Sequence, residues 1–232
     1  YDEENIMFSS PTKYEGINLE GRTEFVPIGE KTTEIFTIGK IALPNAKEKL
    51  QVFNILACYQ YKTEASPLVC INPQWAYSGS TQGCHFSEAQ ITSSQGAPVA
   101  VSRVVTSYFE SRKEVQFDIF VKDVSGKGVV LAPSAYAKPC LGSVSLEEGD
   151  QGTVMMEAYL SGEKLRCYSA TSDEISETFT ISTQGDTYAA RCKASIETNK
   201  PAYTTPLSVY LTYGYASGKT FQLTIKNPSF VG

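Results

Sequence analysis

Apolar and polar residues alternate along much of this chain, and this alternation constrains the fold more than any other feature. Val115, Phe117, Ile119 and Val121 are each separated by one residue, usually a polar one. A period of two places successive side chains on opposite faces of a β-strand, so one face is buried and the other meets water. No long amphipathic helical pattern occurs in the sequence. The chain is therefore predicted to be all-β.

Two hairpins are predicted from this pattern. Apolar residues alternate over 207–213 and again over 221–225, with the glycine-bearing segment 214–218 between them. A short segment of this kind between two alternating runs is typical of a hairpin, which would close the chain. The runs 99–109 and 115–121, joined through 110–113, predict another.

A change of composition at 93–98 indicates a domain boundary, because small and polar residues separate two β-rich regions there. We predict an N-terminal arm or first strand at 1–20, a smaller β-domain at 21–94 and an immunoglobulin-like β-sandwich domain at 95–232. The later strands recur at short, turn-marked intervals, as in sandwiches. A single elaborate sandwich is the alternative.

Six cysteines are widely spaced, with no two closer than twelve residues. Zinc sites and redox motifs use close pairs such as C-x-x-C, so this spacing favours three disulfides. Disulfides persist in oxidising compartments. The chain is therefore expected to be extracellular or on a cell surface, with its signal peptide already removed. The cysteines are Cys58, Cys70, Cys84, Cys140, Cys167 and Cys192.

Strand phase narrows the pairing of these cysteines. Cys167 and Cys192 both fall on the apolar side of their predicted strands, which predicts a core bridge between them. Cys58 and Cys70 flank a short β-connection, so a second bridge is expected between them. Cys84 and Cys140 remain, and the third bridge is expected to be Cys84–Cys140.

The charge and hydropathy of the chain indicate which classes of partner it can bind. The chain has 20 Lys and Arg against 25 Asp and Glu, a net charge of −5. Nucleic-acid binding draws on clustered cations, so no nucleic-acid partner is expected. No apolar run is long enough to span a bilayer, and a membrane anchor outside this sequence is the alternative.

No enzymatic activity, cofactor or metal is predicted. Cys84 and His85 are adjacent, and neighbours on a strand face opposite ways, so they do not form a nucleophile–base pair. Hydrolysis by a carboxylate pair is a remote alternative. The acidic clusters at 2–4, 147–150 and 173–177 lack the alternating ligands of a calcium loop and are expected to be solvated turns. A weak calcium site is the alternative there.

An apolar patch of Ile6, Met7 and Phe8 lies between acidic residues and a Ser-Ser-Pro segment near the start of the chain. Such an arm could add as a strand to the open sheet edge of a neighbouring subunit. An ordinary first strand is the alternative.

Several short strings resemble, in their order along the chain, an uncharacterised family of secreted or membrane-anchored β-rich proteins from archaea with small genomes. That family tends to have Asp where this chain has Asn72. The second half is also similar to adhesion-type immunoglobulin-like modules. The resemblance implies a surface location and no established activity. The strings are Cys58-Tyr59-Gln60-Tyr61, Val69-Cys70-Ile71-Asn72-Pro73, Gln95-Gly96-Ala97-Pro98-Val99-Ala100-Val101 and Leu211-Thr212-Tyr213-Gly214-Tyr215.

We therefore expect an extracellular structural or adhesive protein, a subunit of a pilus-like filament or coat that assembles by β-strand addition. Its partners would be copies of itself or other surface proteins. The alternative is a surface receptor or carbohydrate-binding module that uses the fourteen tyrosines and Trp75. A viral structural protein and a carboxylate-dependent hydrolase are less favoured.

Overall fold

The computed structural model is built mostly from antiparallel β-strands, so the all-β prediction is confirmed. It describes residues 6–9, 11–21, 27–41, 47–73, 84, 88–91, 95–142, 145–169, 174–180, 187–197 and 199–227. Within these ranges there are fourteen strands and three short 3-10 helices.

The strands are numbered in chain order. They are β1 (Ile6–Phe8), β2 (Ile38–Ile41), β3 (Glu48–Ala65), β4 (Leu68–Ile71), β5 (Glu88–Gln90), β6 (Val99–Phe109), β7 (Glu114–Asp123), β8 (Gly128–Leu131), β9 (Thr153–Leu160), β10 (Glu163–Lys164), β11 (Arg166–Ser169), β12 (Thr178–Thr180), β13 (Thr187–Ser195) and β14 (Tyr203–Lys226). The 3-10 helices are Glu110–Arg112, Pro133–Ala135 and Lys138–Leu141.

The chain divides into two compact units. The first unit comprises residues 1–57 and 218–232, and the second unit comprises 58–217. This division differs from the one predicted at 93–98, which lies inside the second unit. Strands from both sides of 93–98 join the same sheets there, because β4 pairs with β14 and β5 pairs with β6.

Two antiparallel sheets of the second unit share one core. The smaller sheet has the order β11-β13-β7-β6-β5. The larger has the order β10-β9-β14-β3, with β4 and β8 also on β14 and β12 on β9. Every second residue of β7 and of β9 is buried, so the period of two read from the sequence directs one face of each sheet into the core.

The hairpin predicted from 99–109 and 115–121 is confirmed. β6 and β7 pair antiparallel from Val99 opposite Asp123 to Phe109 opposite Glu114. The connection is the 3-10 helix Glu110–Arg112 followed by Lys113, which has a φ of 51°.

The closing hairpin predicted around 214–218 is wrong. β14 runs unbroken from Tyr203 to Lys226, and its residues 214–217 pair with β8. Gly214 has no positive φ. A Cβ on Gly214 would lie 2.5 Å from the Cβ and 2.7 Å from the Cα of Tyr136. The glycine therefore permits close approach of two backbones inside a strand and does not form a turn.

The predicted Cys167–Cys192 bridge is confirmed. These residues are direct cross-strand partners on β11 and β13, with Cα atoms 4.0 Å apart, and both are buried. The bridge therefore joins neighbouring strands of one sheet, with both sulfurs on the core face.

The other two predicted bridges are wrong. The structure pairs Cys58 with Cys140 and Cys70 with Cys84. Cys140 reaches β3 because the short helices at 133–141 lie against that strand, where Gln60 Nε2 donates to the carbonyl of Pro133 at 3.2 Å. Proximity along the sequence could not reveal the Cys58–Cys140 bridge, whose cysteines are 82 residues apart.

A ring of hydrogen bonds ties β3, β6 and β14 together in the core. Thr63 Oγ1 donates to the Val99 carbonyl at 2.8 Å, and the Val99 N–H donates to Tyr213 Oη at 3.1 Å. Thr63 Oγ1 and Tyr213 Oη lie 3.1 Å apart. Because the Thr63 proton is already used, the Tyr213 hydroxyl donates to Thr63. The ring satisfies both hydroxyls in a site where Tyr213 is fully buried.

Replacing Tyr213 by phenylalanine is expected to lower the free energy of unfolding by about 1–3 kcal/mol, because the buried Val99 N–H loses its acceptor. The substitution should also change the alkaline stability. Burial raises the pKa of Tyr213 above its usual value, so the native chain holds this proton more tightly than the unfolded chain. That contribution is complete below pH ~10 and is lost as the pH rises further. Urea unfolding between pH 8 and 11 should show a shallower alkaline decline for Y213F than for the wild type. An identical decline would contradict this role.

Candidate assembly surface

The residues predicted as an N-terminal arm form a strand within their own chain. β1 pairs antiparallel with β2, with Ile6 opposite Ile41 and Met7 opposite Lys40. The Ser9 N–H extends this pairing by donating to the Thr37 carbonyl at 2.8 Å. The structure therefore places the predicted assembly residues in a two-stranded ribbon of the first unit.

The two sides of β1 have different surroundings. Phe8 contacts Phe53 of β3 edge to face, with ring centroids 6.4 Å apart. Met7 points the other way and is 61% exposed. One side chain of the short strand thus anchors it, while the next is open to solvent.

An open apolar cavity of about 310 Å³ lies in the first unit beside Phe8. Among the described residues its lining contains no charged side chain, and its polar side chains are those of Thr12 and Asn54. The rest of the lining is aromatic and aliphatic: Phe8, Phe36, Ile38, Phe53, Ile55, Leu56, Phe221 and Leu223.

The first unit buries none of the apolar side chains that the structure describes in it, since the buried apolar residues all lie between 65 and 216. Thirteen of its large apolar side chains are between 37% and 68% exposed. Contiguous apolar patches larger than a few hundred Å² are rare on monomeric proteins and mark interaction sites. We call these thirteen side chains the apolar surface: Met7, Ile17, Leu19, Ile28, Ile35, Phe36, Ile41, Leu50, Val52, Ile55, Leu56, Phe221 and Leu223.

A sequence signal for this surface exists in β3. Residues 52–57 read Val-Phe-Asn-Ile-Leu-Ala, a nearly continuous apolar run. Such runs are typical of strands that are buried on both faces, unlike the alternating runs of the second unit. In the structure Leu50 and Val52 lie on one face of β3 and Phe53 lies on the other, so apolar side chains project from both faces of the strand. The prediction of an N-terminal arm did not include β3, although β3 contributes more side chains to the apolar surface than β1 does.

The connection between β1 and β2 has little regular structure. Its described residues, 9, 11–21 and 27–37, contain neither helix nor strand. Tyr14 holds one part of it, donating from Oη to the Ile35 carbonyl at 2.9 Å and packing edge to face on Phe36 at 5.2 Å. Glu20 and Glu30 hold another, through the Glu30 N–H on the Glu20 carbonyl at 2.9 Å.

The acidic turns that the sequence singled out contain ion pairs. Asp150 accepts from Lys138 Nζ at 2.7 Å and from the Glu147 N–H at 2.6 Å, and these bonds hold its pKa below the usual value. Glu177 shares Lys164 with Glu157, at 2.8 and 2.6 Å. Among the described residues no group of three His, Cys, Asp or Glu could hold a metal ion.

Some predicted residues lie outside the part of the chain that the structure describes, namely Trp75, His85, Asp173 and the acidic residues 2–4. Cys84 is described and is bonded to Cys70. In the described ranges no helix has the length and apolar character needed to cross a membrane.

Comparison of the chain with protein-family models, with curated proteins and with solved structures finds no match.

Proposed function

We propose that the protein is an extracellular structural or adhesive subunit that assembles with copies of itself into a cell-surface filament or coat. The observation that carries this proposal is the apolar surface of the first unit, which has no buried apolar side chain of its own among the described residues. The three disulfides and the resemblance to surface proteins support an oxidising, extracellular setting.

The size of the apolar surface supports a partner protein. With about 150 Å² for a fully exposed large apolar side chain, the thirteen side chains together expose on the order of 1,000 Å². A stable protein interface buries about 800 Å² on each partner. The summed exposure of these side chains therefore reaches the area that an interface of standard size buries on one partner.

Exchange of β1 between copies supplies a mechanism of assembly by strand addition. β1 is three residues long and pairs only with β2 among the described strands. The connection at 9–37 could extend to about 95 Å, which is ample for β1 to reach the β2 of a neighbour. Exchanging an identical element costs little, because the neighbour offers the same hydrogen bonds and the same contact for Phe8.

The second unit would serve as the rigid body of the subunit. We propose that it is an adhesion-type immunoglobulin-like sandwich, supported by two antiparallel sheets around one core. Its Cys167–Cys192 bridge lies within one sheet, whereas antibody domains join their two sheets by a disulfide. This difference separates it from the antibody type.

Linking β1 covalently to its own β2 should prevent assembly by strand exchange. Met7 and Lys40 are cross-strand partners, so M7C together with K40C can form an intramolecular disulfide in the monomer. We expect the linked monomer to stay monomeric in sedimentation velocity at concentrations where the wild type assembles. M7C alone, with its thiol blocked, is the matched control and should still assemble. Equal assembly of the linked and control proteins would contradict strand exchange.

A further inference from the structure

The outer face of the smaller sheet is a second distinctive surface, and it belongs to the second unit. The side chains of this face alternate with the core residues of β6, β7, β11 and β13. Among the described residues, its charged members are the cations Arg103, Lys122, Arg166, Arg191 and Lys193 and the carboxylates Glu88, Glu114 and Asp118. A cationic excess on one face stands out in a chain whose net charge is −5.

Two of these cations have local compensation. Arg103 lies 3.4 Å from Glu88 and stacks over Phe120 at 3.7 Å. Arg191 of β13 lies directly opposite Asp118 of β7. The charges of Arg103 and Arg191 therefore have opposite charges beside them within the protein.

Arg166 and Lys193 lack such compensation. They are direct cross-strand partners on β11 and β13, so their like charges face each other. Neither has a carboxylate partner in the described part of the chain. Like charges directly opposite each other destabilise a sheet. An anionic group bound between them would remove this repulsion.

Neutral hydrogen-bonding groups surround this pair. Gln116 lies opposite Lys193 and donates from Nε2 to Asp118 Oδ1 at 2.9 Å, which leaves its amide oxygen as an acceptor, and Ser107 lies opposite Gln116. Tyr168 lies two residues from Arg166 on β11, and Lys193 Nζ sits 5.0 Å from its ring centroid. Amide and hydroxyl groups interleaved with cations match a polymer that carries both hydroxyls and spaced carboxylates or sulfates.

We propose that this face binds an acidic polysaccharide, with one carboxylate or sulfate held between Arg166 and Lys193. Nucleic acid fits less well, because duplex DNA carries one charge per about 1.7 Å and its binding draws on clusters of cations larger than this pair. The three disulfides favour an extracellular setting, in which such a polymer is an accessible partner. The inference stands on the second unit alone and does not require self-assembly.

Polygalacturonate is a suitable probe for the intact, disulfide-bonded protein, with neutral dextran as the reference polymer. We expect saturable binding to immobilised polygalacturonate at 50 mM salt that weakens steeply as salt is raised. R166E with K193E should weaken it on the order of tenfold or more, because two ionic contacts become repulsive. K127E with K219E makes the same change in net charge elsewhere and should leave the affinity within about threefold.

The single variant R166E separates binding from folding. It replaces a like-charge pair by a Glu–Lys cross-strand pair, so the thermal midpoint should be unchanged or raised while binding weakens. The proposal is overturned if polygalacturonate shows no saturable binding, or if both double variants weaken it equally. Tighter binding to duplex DNA or to anionic phospholipid vesicles than to polygalacturonate would also overturn it.

Discussion

Replacing both Cys58 and Cys140 by alanine is expected to lower the free energy of unfolding by about 4 kcal/mol. The bridge closes a loop with a sequence separation of 82, the longest of the three. In the chain-entropy model, a bridge that closes a loop of this size raises the free energy of the unfolded chain by about 4 kcal/mol or slightly more. Denaturant unfolding of the oxidised protein, followed by far-ultraviolet circular dichroism, measures the change in the free energy of unfolding.

The matched control is the double replacement of Cys70 and Cys84. This bridge has a sequence separation of 14, so the same model gives a loss of about 3 kcal/mol. Replacing both partners at once avoids leaving a free thiol that could exchange with the other bridges. A larger loss for the shorter bridge would contradict the entropic account. A Cys58–Cys70 linkage in peptide mapping of the oxidised protein would contradict the pairing itself.

Placing valine at Gly214 should destabilise the second unit by about 3 kcal/mol, because overpacking against a backbone cannot be relieved by rotating a side chain. A Cβ at this position would lie 2.7 Å from the Tyr136 Cα and 3.1 Å from the Leu131 Cβ. Thermal and urea unfolding of G214V and G214A would give the size of the loss.

Gly218 provides the comparison for this prediction. A Cβ on Gly218 would meet the flexible end of Leu56 at 2.7 Å and the Ile55 carbonyl at 3.2 Å. Because the Leu56 side chain can move, G218A should cost less than G214A. If Gly214 lay instead in an exposed hairpin turn, G214V and G214A would have little effect on packing. Equal stability of G214A and the wild type would therefore contradict the continuous strand β14.

The parts of the fold that follow from local pattern could be predicted from sequence. Alternation identified the buried face of β7 and placed Cys167 and Cys192 on the core side of their strands. The strand phase that a residue adopts depends on its near neighbours, which the sequence displays directly.

Features set by contacts distant in sequence could not be predicted. Cys58 meets Cys140 through the packing of short helices on β3, and no local pattern encodes that approach. Gly214 resembled a turn residue because a glycine needed for a turn and one needed for close packing look the same in sequence.

The apolar surface of the first unit was predicted in part. The apolar patch at Ile6, Met7 and Phe8 pointed to the first unit, but the structure pairs these residues with β2 of the same chain. The cavity joins Phe8 and Phe36 to Phe53 and Phe221 from distant segments. Only the three-dimensional arrangement brings these four rings together, so the cavity could not be predicted from the sequence.

Negative-stain electron microscopy of the purified, disulfide-bonded protein tests self-assembly most directly. The exposed apolar surface of the first unit predicts regular filaments or sheets whose repeat accommodates one 25.4 kDa chain or a small multiple of it. Dispersed single particles of monomer size, at every concentration up to the limit of solubility, would contradict the proposed assembly.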